Sequence, residues 1–232
     1  GVSQYCLTNK WNGANILVFK YTDNNGNTFI SAKPRATTFI TESIQGNYVT
    51  LVKEALNVQS VNPPSLTLTS PHLPELLTPL LSANVQSIDF ELCGRKLRHL
   101  VKYDFDIRME PLFVTHYDST ITPVLNPRGT QYDIYGVPMT LSASTCSSED
   151  LSRMLSKFQQ DALRQNELHR QQHNMTFSMW FEHFVVEGKV LYLLGSDGNL
   201  ISRDSMFKIK PSDIESSHWE QFDHGAQMEV LM

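Results

Sequence analysis

The chain has 232 residues, of which 41% are hydrophobic and 19% are charged. Together with a mean hydropathy of -0.27, this composition excludes disordered, collagen-like and coiled-coil chains and indicates a folded globular protein. Lys and Arg number 19 against 24 Asp and Glu, which leaves a formal net charge of -5. No bulk positive charge attracts nucleic acid, although a local basic groove is compatible with this balance.

Cysteine content and hydropathy indicate where the protein works. Cys6, Cys93 and Cys146 are an odd number without a C-x-x-C pair, so neither a disulfide framework nor a cysteine zinc site is expected. No apolar run approaches the roughly 18 residues that a membrane helix needs, and the start of the chain has no secretory hydrophobic segment. We expect an intracellular, cytoplasmic protein with no membrane partner.

The first half of the chain predicts a β-meander followed by a mixed segment. Strands are expected at Asn15–Tyr21 and Thr28–Ser31, with turn residues at Asp23–Asn27 between them. Thr41–Val58 has apolar residues at helical spacing, and Pro63–Pro79 contains five of the 11 prolines. Because proline interrupts helices and sheets, we expect a loop or a short broken helix there.

The second half predicts more strands and one long helix. The expected strands are Ser87–Leu92, Pro111–Tyr117, Glu182–Leu194 and Leu200–Lys210. Ser147 is a good N-cap before two acidic residues, and the apolar spacing that follows predicts a helix from Ser148 to about His169. Many strands and few helices, without strict βαβ alternation, indicate an α+β fold with antiparallel sheets.

Common motifs for nucleotides and metals are missing from the sequence. It contains no P-loop, no dinucleotide fingerprint, no H-E-x-x-H and no G-x-S-x-G. His169 and His173 lie four residues apart and would share one helix face. Because no further ligand accompanies them, we interpret them as solvated histidines near a helix C-terminus rather than as a metal pair.

Charged residues inside apolar strands are the strongest functional signal. Glu91 and Glu187 each interrupt an apolar strand segment, and period-two alternation places Lys208 and Lys210 on one strand face. Such charges are costly unless they meet partners or a ligand. With Lys10, just before a strong strand, they suggest a cleft for a metal and a polyphosphate; the alternative for the lysines is a solvated sheet face.

In this order and spacing, the charged segments resemble the covalent nucleotidyltransferase superfamily of RNA ligases, DNA ligases and mRNA capping enzymes. The matching segments are Lys10–Gly13 (nucleophile motif), Ser31–Arg35 (second basic motif), Phe90–Gly94 (third motif), Pro111–Val114 (base-stacking strand), Val186–Val190 (fourth motif) and Phe207–Lys210 (fifth motif). The Phe-Glu-Leu-x-Gly form of the third motif is nearest to phage-type RNA ligase 1. In that subfamily a proline, an asparagine and an arginine follow this motif. Arg98 matches the arginine, while the proline and the asparagine have no match in this sequence.

The resemblance covers roughly Thr8–Lys210 and implies one adenylation domain, residues 1–232, in which two antiparallel sheets flanked by helices enclose a nucleotide cleft. By resemblance, Lys10 attacks the α-phosphate of ATP, and Lys208 and Lys210 neutralise that phosphate. Glu187 holds Mg²⁺, or alternatively Mn²⁺. The remaining nucleotide-pocket residues are Asn9, Asn12, Gly13, Lys33, Arg35, Glu91 (ribose) and Phe113 (adenine).

The implied partner is RNA with a 5′-phosphate and a 3′-hydroxyl end. The AMP passes from the lysine to the 5′-phosphate, and the 3′-hydroxyl then displaces it, as in RNA repair. Arg35 would contact the 5′-phosphate, and the basic cluster of Arg95, Lys96 and Arg98 would bind RNA phosphates. The ordinary interpretation of that cluster is a solvated loop, and that of Phe113 is a core residue.

Departures from the family pattern keep alternatives open. Asn12 replaces the usual acid of the nucleophile motif, nine residues precede Lys10 and 22 follow Lys210. We therefore expect either a minimal enzyme, monomeric in solution, or the nucleotidyltransferase domain of a longer protein. The alternatives to an RNA ligase are a capping guanylyltransferase, a DNA ligase, or a catalytically inactive ligase-like domain that binds nucleotide or RNA.

Overall fold

The computed structural model describes residues 1–35, 40, 42–43, 46–59, 73–97, 99–124, 139–175 and 182–214. Its elements are β1 (Gln4–Asn9), β2 (Ala14–Thr22), β3 (Thr28–Pro34), β4 (Glu42–Ser43), β5 (Gly46–Asn47), α1 (Tyr48–Gln59), α2 (Leu73–Leu77), a 3₁₀ turn (Thr78–Leu80), β6 (Val85–Cys93), β7 (Arg108–His116), β8 (Ile121–Pro123), β9 (Met139–Ser142), α3 (Ser148–Gln172), β10 (Lys189–Leu194) and β11 (Met206–Ile209). Two antiparallel sheets dominate. Sheet A has the strand order β11-β10-β1-β9, and sheet B has the order β3-β2-β6-β7-β8.

Sheet B packs one of its faces against α1 and α2. Ile16 and Val18 of β2 and Phe90 of β6 are buried there with Val52 of α1 and Leu77 of α2. Because successive side chains of a strand point to opposite faces, the alternate residues of β2 and β6 lie on the face turned away from the helices. Because the apolar side chains of β2 and β6 are buried against the helices, the side chains that alternate with them lie on the opposite face of sheet B.

Sheet A packs one of its faces against α3. Leu7 of β1 and Leu191 of β10 are buried against Leu151 at the start of this helix, with Ile209 of β11 beside them. The opposite face carries a second small apolar cluster that includes Tyr192. The alternation of β11 consequently places the side chains of residues 208 and 210 on the face away from α3.

The two sheets are joined by the short segment 10–13, which leaves β1 in sheet A and enters β2 in sheet B. Gly13 passes so close to β6 that a Cβ atom there would lie 2.1 Å from the carbonyl oxygen of Leu92. A second link lies at the far edge of sheet B, where the N–H of Leu200 donates to Ile121 O at 2.9 Å. The nucleophile motif thus lies at the junction of the sheets.

The predicted fold class is confirmed, since the structure is α+β with two antiparallel sheets and few helices. The four strands predicted at Asn15–Tyr21, Thr28–Ser31, Ser87–Leu92 and Pro111–Tyr117 correspond to β2, β3, β6 and β7. The long helix begins as predicted, with Ser147 Oγ accepting a hydrogen bond from the N–H of Asp150 at 3.1 Å. It ends at Gln172 rather than His169.

Two predicted strands are wrong over part of their length. The segment 182–188 is irregular. Its backbone forms hydrogen bonds with a loop and with a helix side chain, and it does not pair with a neighbouring strand along its whole length. Of Leu200–Lys210 only Met206–Ile209 is a strand, and a turn precedes it. The sequence analysis missed β9, and it located no distinct strand at β1. Residues 60–72 of the proline-rich segment lie outside the described residues, while α2 and the 3₁₀ turn agree with a short broken helix.

None of the helices in the described ranges is long and apolar enough to cross a membrane.

Candidate active site

The centre of the candidate site is a buried ion pair between Lys10 and Glu187. Lys10 Nζ lies 2.5 Å from Glu187 Oε1, and the two side chains are 15% and 2% exposed. The N–H of Lys10 donates to Gly188 O at 3.0 Å, which continues the β1–β10 pairing beyond the strand end. Removal of either partner from such a pair would leave a largely buried charge with less compensation, which destabilises the fold.

Lys208 of β11 and Lys210, just beyond its end, add positive charge near the two carboxyls. Lys210 Nζ lies 3.8 Å from Glu187 Oε1, with its side chain 18% exposed. Lys208 precedes it by two residues on the same strand face and is exposed. It is nevertheless close enough to Glu91 to lower the pKa of that carboxyl. Positive charge is therefore concentrated where β11 ends.

Glu91 brings sheet B into the site. Burial raises the pKa of Glu91 to about 7, although the positive charge of Lys10 opposes this rise. The neighbouring charge of Glu187 raises the pKa further, and a hydrogen bond from the Gly13 backbone lowers it. These interactions place Glu91 beside the residues of sheet A, so the structure brings together Lys10, Glu91, Glu187, Lys208 and Lys210.

Gly188 is required where the chain turns from Glu187 into β10. Its φ is +154°, and a Cβ atom there would lie 2.3 Å from the carbonyl oxygen of Ile209. Only glycine permits this approach of β10 to β11. The Glu-Gly dipeptide of the fourth motif therefore has a local steric cause, which keeps Glu187 next to the strand that carries Lys210.

Asn12 holds the nucleophile segment against the loop that follows β6. Its side-chain Oδ1 accepts a hydrogen bond from the N–H of Val101 at 3.1 Å. Its N–H donates to the Tyr103 hydroxyl at 2.7 Å, and that hydroxyl donates to the Asn12 carbonyl at 3.1 Å. Trp11 packs near Tyr103, with ring centroids 6.1 Å apart. The amide of Asn12 thus fixes the segment that presents Lys10.

The side chain of Asn9 lies on the opposite face of sheet A from that of Lys10, and its predicted nucleotide contact stays a prediction. Lys189 Nζ donates to Asn9 Oδ1 at 2.5 Å, and the same ammonium lies 5.7 Å from the ring centroid of Phe158 on α3. Because residues of β1 alternate between faces, Asn9 lies on the α3 side of sheet A with Leu7. The side chain of Lys10 takes the other side.

Phe113 and Lys33 lie in one row across sheet B. Lys33 pairs with Leu17, Leu17 with Asp89, and Asp89 with Phe113. Directly paired residues share a face, and Asp89 and Glu91 share one by alternation. The row is therefore on the face of Glu91, away from the helix-packed core. Phe113 is half-buried, and its position is compatible with a base platform.

Asp89, on the same face of β6 as Glu91, is a partly buried acid that the sequence analysis missed. Burial raises its pKa to about 6, opposed by a hydrogen bond from Asn15, whose Nδ2 lies 3.4 Å from Asp89 Oδ1. The signal that identified Glu91, an acid inside an apolar strand, is also present at Asp89 between Ile88 and Phe90. It was overlooked because Asp89 is no part of the family motif.

The predicted RNA-binding cations have different surroundings. Arg35 is exposed just beyond the end of β3. Arg95 Nη2 lies 2.5 Å from Asp106 Oδ1, and Lys96 forms an ion pair with Glu54. Arg98 lies outside the described residues. The charges of Arg95 and Lys96 are thus matched by acids, and any RNA phosphate would compete with those acids.

The interpretation of both helix-end histidines as solvated is wrong for His169. This ring is 6% exposed, and its Nε2 lies 2.8 Å from Glu182 O. His173 is exposed, and the two ring centroids lie 4.7 Å apart, as one shared helix face requires. In the described part of the chain, no three or more His, Cys, Asp and Glu side chains are grouped to hold a metal ion.

A magnesium ion nevertheless fits the chemistry of the site. Glu187 and Glu91 offer carboxylate oxygens close enough to affect each other's charge. Mg²⁺ commonly takes one or two protein carboxylates and completes its shell with water and substrate phosphates, so it does not need a dedicated cluster. Glu187, with Glu91 beside it, is therefore the residue that would hold such an ion.

Neither the family models nor the curated proteins compared with this chain include a match.

Proposed function

We propose that this protein is an ATP-dependent RNA ligase in which Lys10 forms a covalent lysine–AMP intermediate. The observation that carries the proposal is the buried contact of Lys10 Nζ with Glu187 Oε1 at 2.5 Å, with Lys210 at 3.8 Å from the same oxygen. On a solvated sheet face these charges would be exposed and separate. Their burial at the junction of two sheets is costly to the fold, and a phosphate-binding site accounts for that cost.

The chemistry follows from the positions of the three lysines. Lys10 first gives up one proton, for which the Glu187 carboxylate in contact with its Nζ is an acceptor. The neutral amine then attacks the α-phosphorus of ATP: the nitrogen–phosphorus bond forms, the bond from that phosphorus to the oxygen bridging to the β-phosphate breaks, pyrophosphate leaves, and the nitrogen releases a second proton to solvent. Lys208 and Lys210 place positive charge where the α-phosphate oxygens gain negative charge. A divalent ion at Glu187, when bound, supplies further positive charge to the phosphates.

The face of sheet B supports the rest of the nucleotide. In this proposal Glu91 accepts hydrogen bonds from ribose hydroxyls, and the ring of Phe113, in the next row of sheet B, stacks on the base. Lys33 lies on β3, which β2 separates from the strand of Glu91, and Arg35 lies just beyond the end of β3; a phosphate of the triphosphate or of the RNA end would meet their positive charge. The AMP then passes to the RNA 5′-phosphate, and the 3′-hydroxyl displaces it to seal the strand.

A second candidate, a capping-type guanylyltransferase, is favoured by Asp89. This carboxyl is the register partner of Phe113 and therefore lies beside the proposed base platform. A carboxylate can accept two hydrogen bonds from the N1 and N2 groups of guanine, whereas adenine offers the N6 amino group alone on that edge. The choice between ATP and GTP is the test that separates the two functions.

The third possibility, an inactive ligase-like domain, rests on Asn12. The hydrogen bond that Asn12 Oδ1 accepts from Val101 is one that an aspartate would also accept. The replacement therefore removes no contact of this loop, and we expect the segment that presents Lys10 to be intact. This supports an active enzyme over an inactive relative.

The test is the intact mass after incubation with Mg²⁺ and, separately, ATP, GTP and NAD. The expected result is a mass gain of one AMP from ATP, mapped to Lys10 and absent in Lys10→Ala. Lys157→Ala is the control, since this lysine is exposed on α3. An adduct that persists in Lys10→Ala contradicts the assignment. A GMP adduct supports the second candidate, and thermal stabilisation by ATP without any adduct supports the inactive domain.

A further inference from the structure

Asn166 lies in the last third of α3 and is 0% exposed. Its Oδ1 accepts hydrogen bonds from the N–H groups of Val185 and Val186, both at 3.0 Å, and its Nδ2 donates to Val186 O at 3.0 Å. A buried amide with three satisfied hydrogen bonds is firmly held, because each broken bond would leave an unsatisfied polar group. The asparagine and the segment 185–186 therefore fix each other.

The same helix binds the chain at other points near the site. Gln159 Nε2 donates to Lys210 O at 2.8 Å, and Arg170 Nη1 lies 2.8 Å from Asp213 Oδ2. Positions 159, 166 and 170 are seven and four residues apart, so they lie along one helix face. Through this face α3 holds both the segment before Glu187 and the end of β11, which carries Lys210.

The segment that Asn166 holds carries the central carboxylate of the site. Glu187 directly follows Val186, so a rotation of the Val186 peptide would move the Glu187 side chain out of its 2.5 Å contact with Lys10. A misplacement of about 1 Å at a reacting group can lower a rate about 10²-fold. The orientation of the Val186 peptide therefore determines where the Glu187 carboxylate lies in the site.

We infer that Asn166 is a positioning residue that keeps Glu187 in register with Lys10 and Lys210. The inference rests on the proposed function, in which these three residues act on the same phosphate. Asn166 itself touches neither nucleotide nor RNA. Its effect is transmitted through the backbone of Val185 and Val186.

The experiment compares Asn166→Ala and Asn166→Asp with Ala162→Gly. Ala162 lies one helical turn before Asn166 and is 1% exposed, so its replacement by glycine weakens α3 without removing a polar contact. Each variant is measured by amide hydrogen exchange over residues 184–190, by its melting temperature and by single-turnover adenylation with ATP and Mg²⁺. The aspartate can accept the two N–H bonds but cannot donate to Val186 O.

We expect Asn166→Ala to speed exchange at residues 185 and 186 at least tenfold. Its adenylation rate at saturating ATP should fall about 30-fold or more, with a smaller change in the ATP concentration that gives half the maximal rate. Asn166→Asp should keep part of the protection and part of the rate. Ala162→Gly should lose melting temperature while its exchange in this segment and its rate stay within about threefold of the wild type.

The inference is overturned if exchange at 185 and 186 is unchanged in Asn166→Ala, or if Asn166→Ala and Ala162→Gly lose rate in proportion to lost stability. Should Asn166→Ala fail to fold, Asn166→Asp decides by the same two measurements. If the wild type forms no AMP adduct, the proposed function fails. The exchange comparison then still shows whether Asn166 fixes the backbone before Glu187.

Discussion

Asn12 and Val101 are joined across two loops by a hydrogen bond of 3.1 Å from the Val101 N–H to the Asn12 side-chain oxygen. The bond connects the segment 10–13 to the loop that follows β6, and so connects the residues around Lys10 with those that follow Glu91. An aspartate at this position could accept the same bond. The function of the side chain here is to hold the loop, which an uncharged amide does as well.

Replacement of Asn12 should separate the hydrogen bond from the charge. Asn12→Leu leaves the Val101 N–H without its acceptor, and we expect it to lower the free energy of unfolding by about 1–3 kcal/mol. Asn12→Asp keeps the acceptor and should cost less than about 1 kcal/mol. Urea denaturation measures both. If the two variants are equally stable, the bond contributes nothing; if only Asn12→Asp forms an AMP adduct, the wild type is the inactive domain.

The ion pair of Lys10 and Glu187 should not be required for folding, although loss of one partner alone should lower the free energy of unfolding. Glu187→Gln leaves a largely buried ammonium beside Lys210, and we expect a loss of about 3 kcal/mol in the free energy of unfolding together with loss of adenylation. The double variant Lys10→Met/Glu187→Gln removes the uncompensated charge. It should recover most of the stability but none of the activity.

A double-mutant cycle by urea denaturation measures this coupling. The matched control is the exposed pair of Arg153 and Asp150 on α3, 2.5 Å apart, for which we expect a coupling energy below about 1 kcal/mol. A Lys10–Glu187 coupling no larger than that of the control would mean that the pair is solvated.

The raised pKa of Glu91 makes stability depend on pH. Because the folded pKa of about 7 exceeds that of the unfolded chain, the folded state retains a proton that the unfolded state releases. Stability is therefore highest below about pH 4.5, falls as pH rises, and levels off above pH 7. Relative to Glu91→Gln, the wild type should lose about 2–3 kcal/mol between pH 5 and pH 8.

The control for this pH effect is Asp89→Asn, since the pKa of Asp89 is raised to about 6 and contributes in the same direction but over a lower pH range. Unfolding free energies at pH 5, 6.5 and 8 distinguish the two carboxyls. A difference between wild type and Glu91→Gln that does not change with pH would show that Glu91 is ionised in the folded protein as it is in water.

Phe113 should act on nucleotide binding more than on folding. If its ring stacks on the base, Phe113→Ala should raise the ATP concentration for half-maximal adenylation about tenfold or more, while Phe113→Tyr stays near the wild type. Phe207→Ala is the control, because this ring is 46% exposed on β11. If Phe113→Ala lowers the melting temperature strongly and leaves the ATP dependence unchanged, Phe113 is a core residue and not a base platform.

Alternation within strands accounts for only part of the charged cluster. The acid inside an apolar strand and the lysines spaced by two residues are local patterns, and β6 and β11 keep Glu91 and Lys208 on strands. Glu187 lies in the irregular segment before β10, so strand alternation does not explain its position. The start of α3 was likewise predictable, because the Ser147 cap acts within three residues of itself.

What sequence patterns could not supply was the pairing of distant segments. β1 pairs with β10, so that Asn9 meets Lys189 at a separation of 180 residues. The valines before Glu187 have the composition of a strand, yet their backbone is bound by Asn166 on α3. A buried asparagine among mostly polar neighbours on a helix has no local sequence signature. The sequence analysis therefore missed both the irregular segment 182–188 and the asparagine that binds it.

The short segment 10–13 has a mechanical consequence. Its first residue, Lys10, is hydrogen-bonded to sheet A through Gly188 O. Its last residue, Gly13, lies against the backbone of β6 in sheet B. The two anchors are on different sheets, so the spacing of the sheets and the placement of the Lys10 side chain are not independent. A change in that spacing would also change the position of the Lys10 amine relative to Glu187, which it contacts at 2.5 Å.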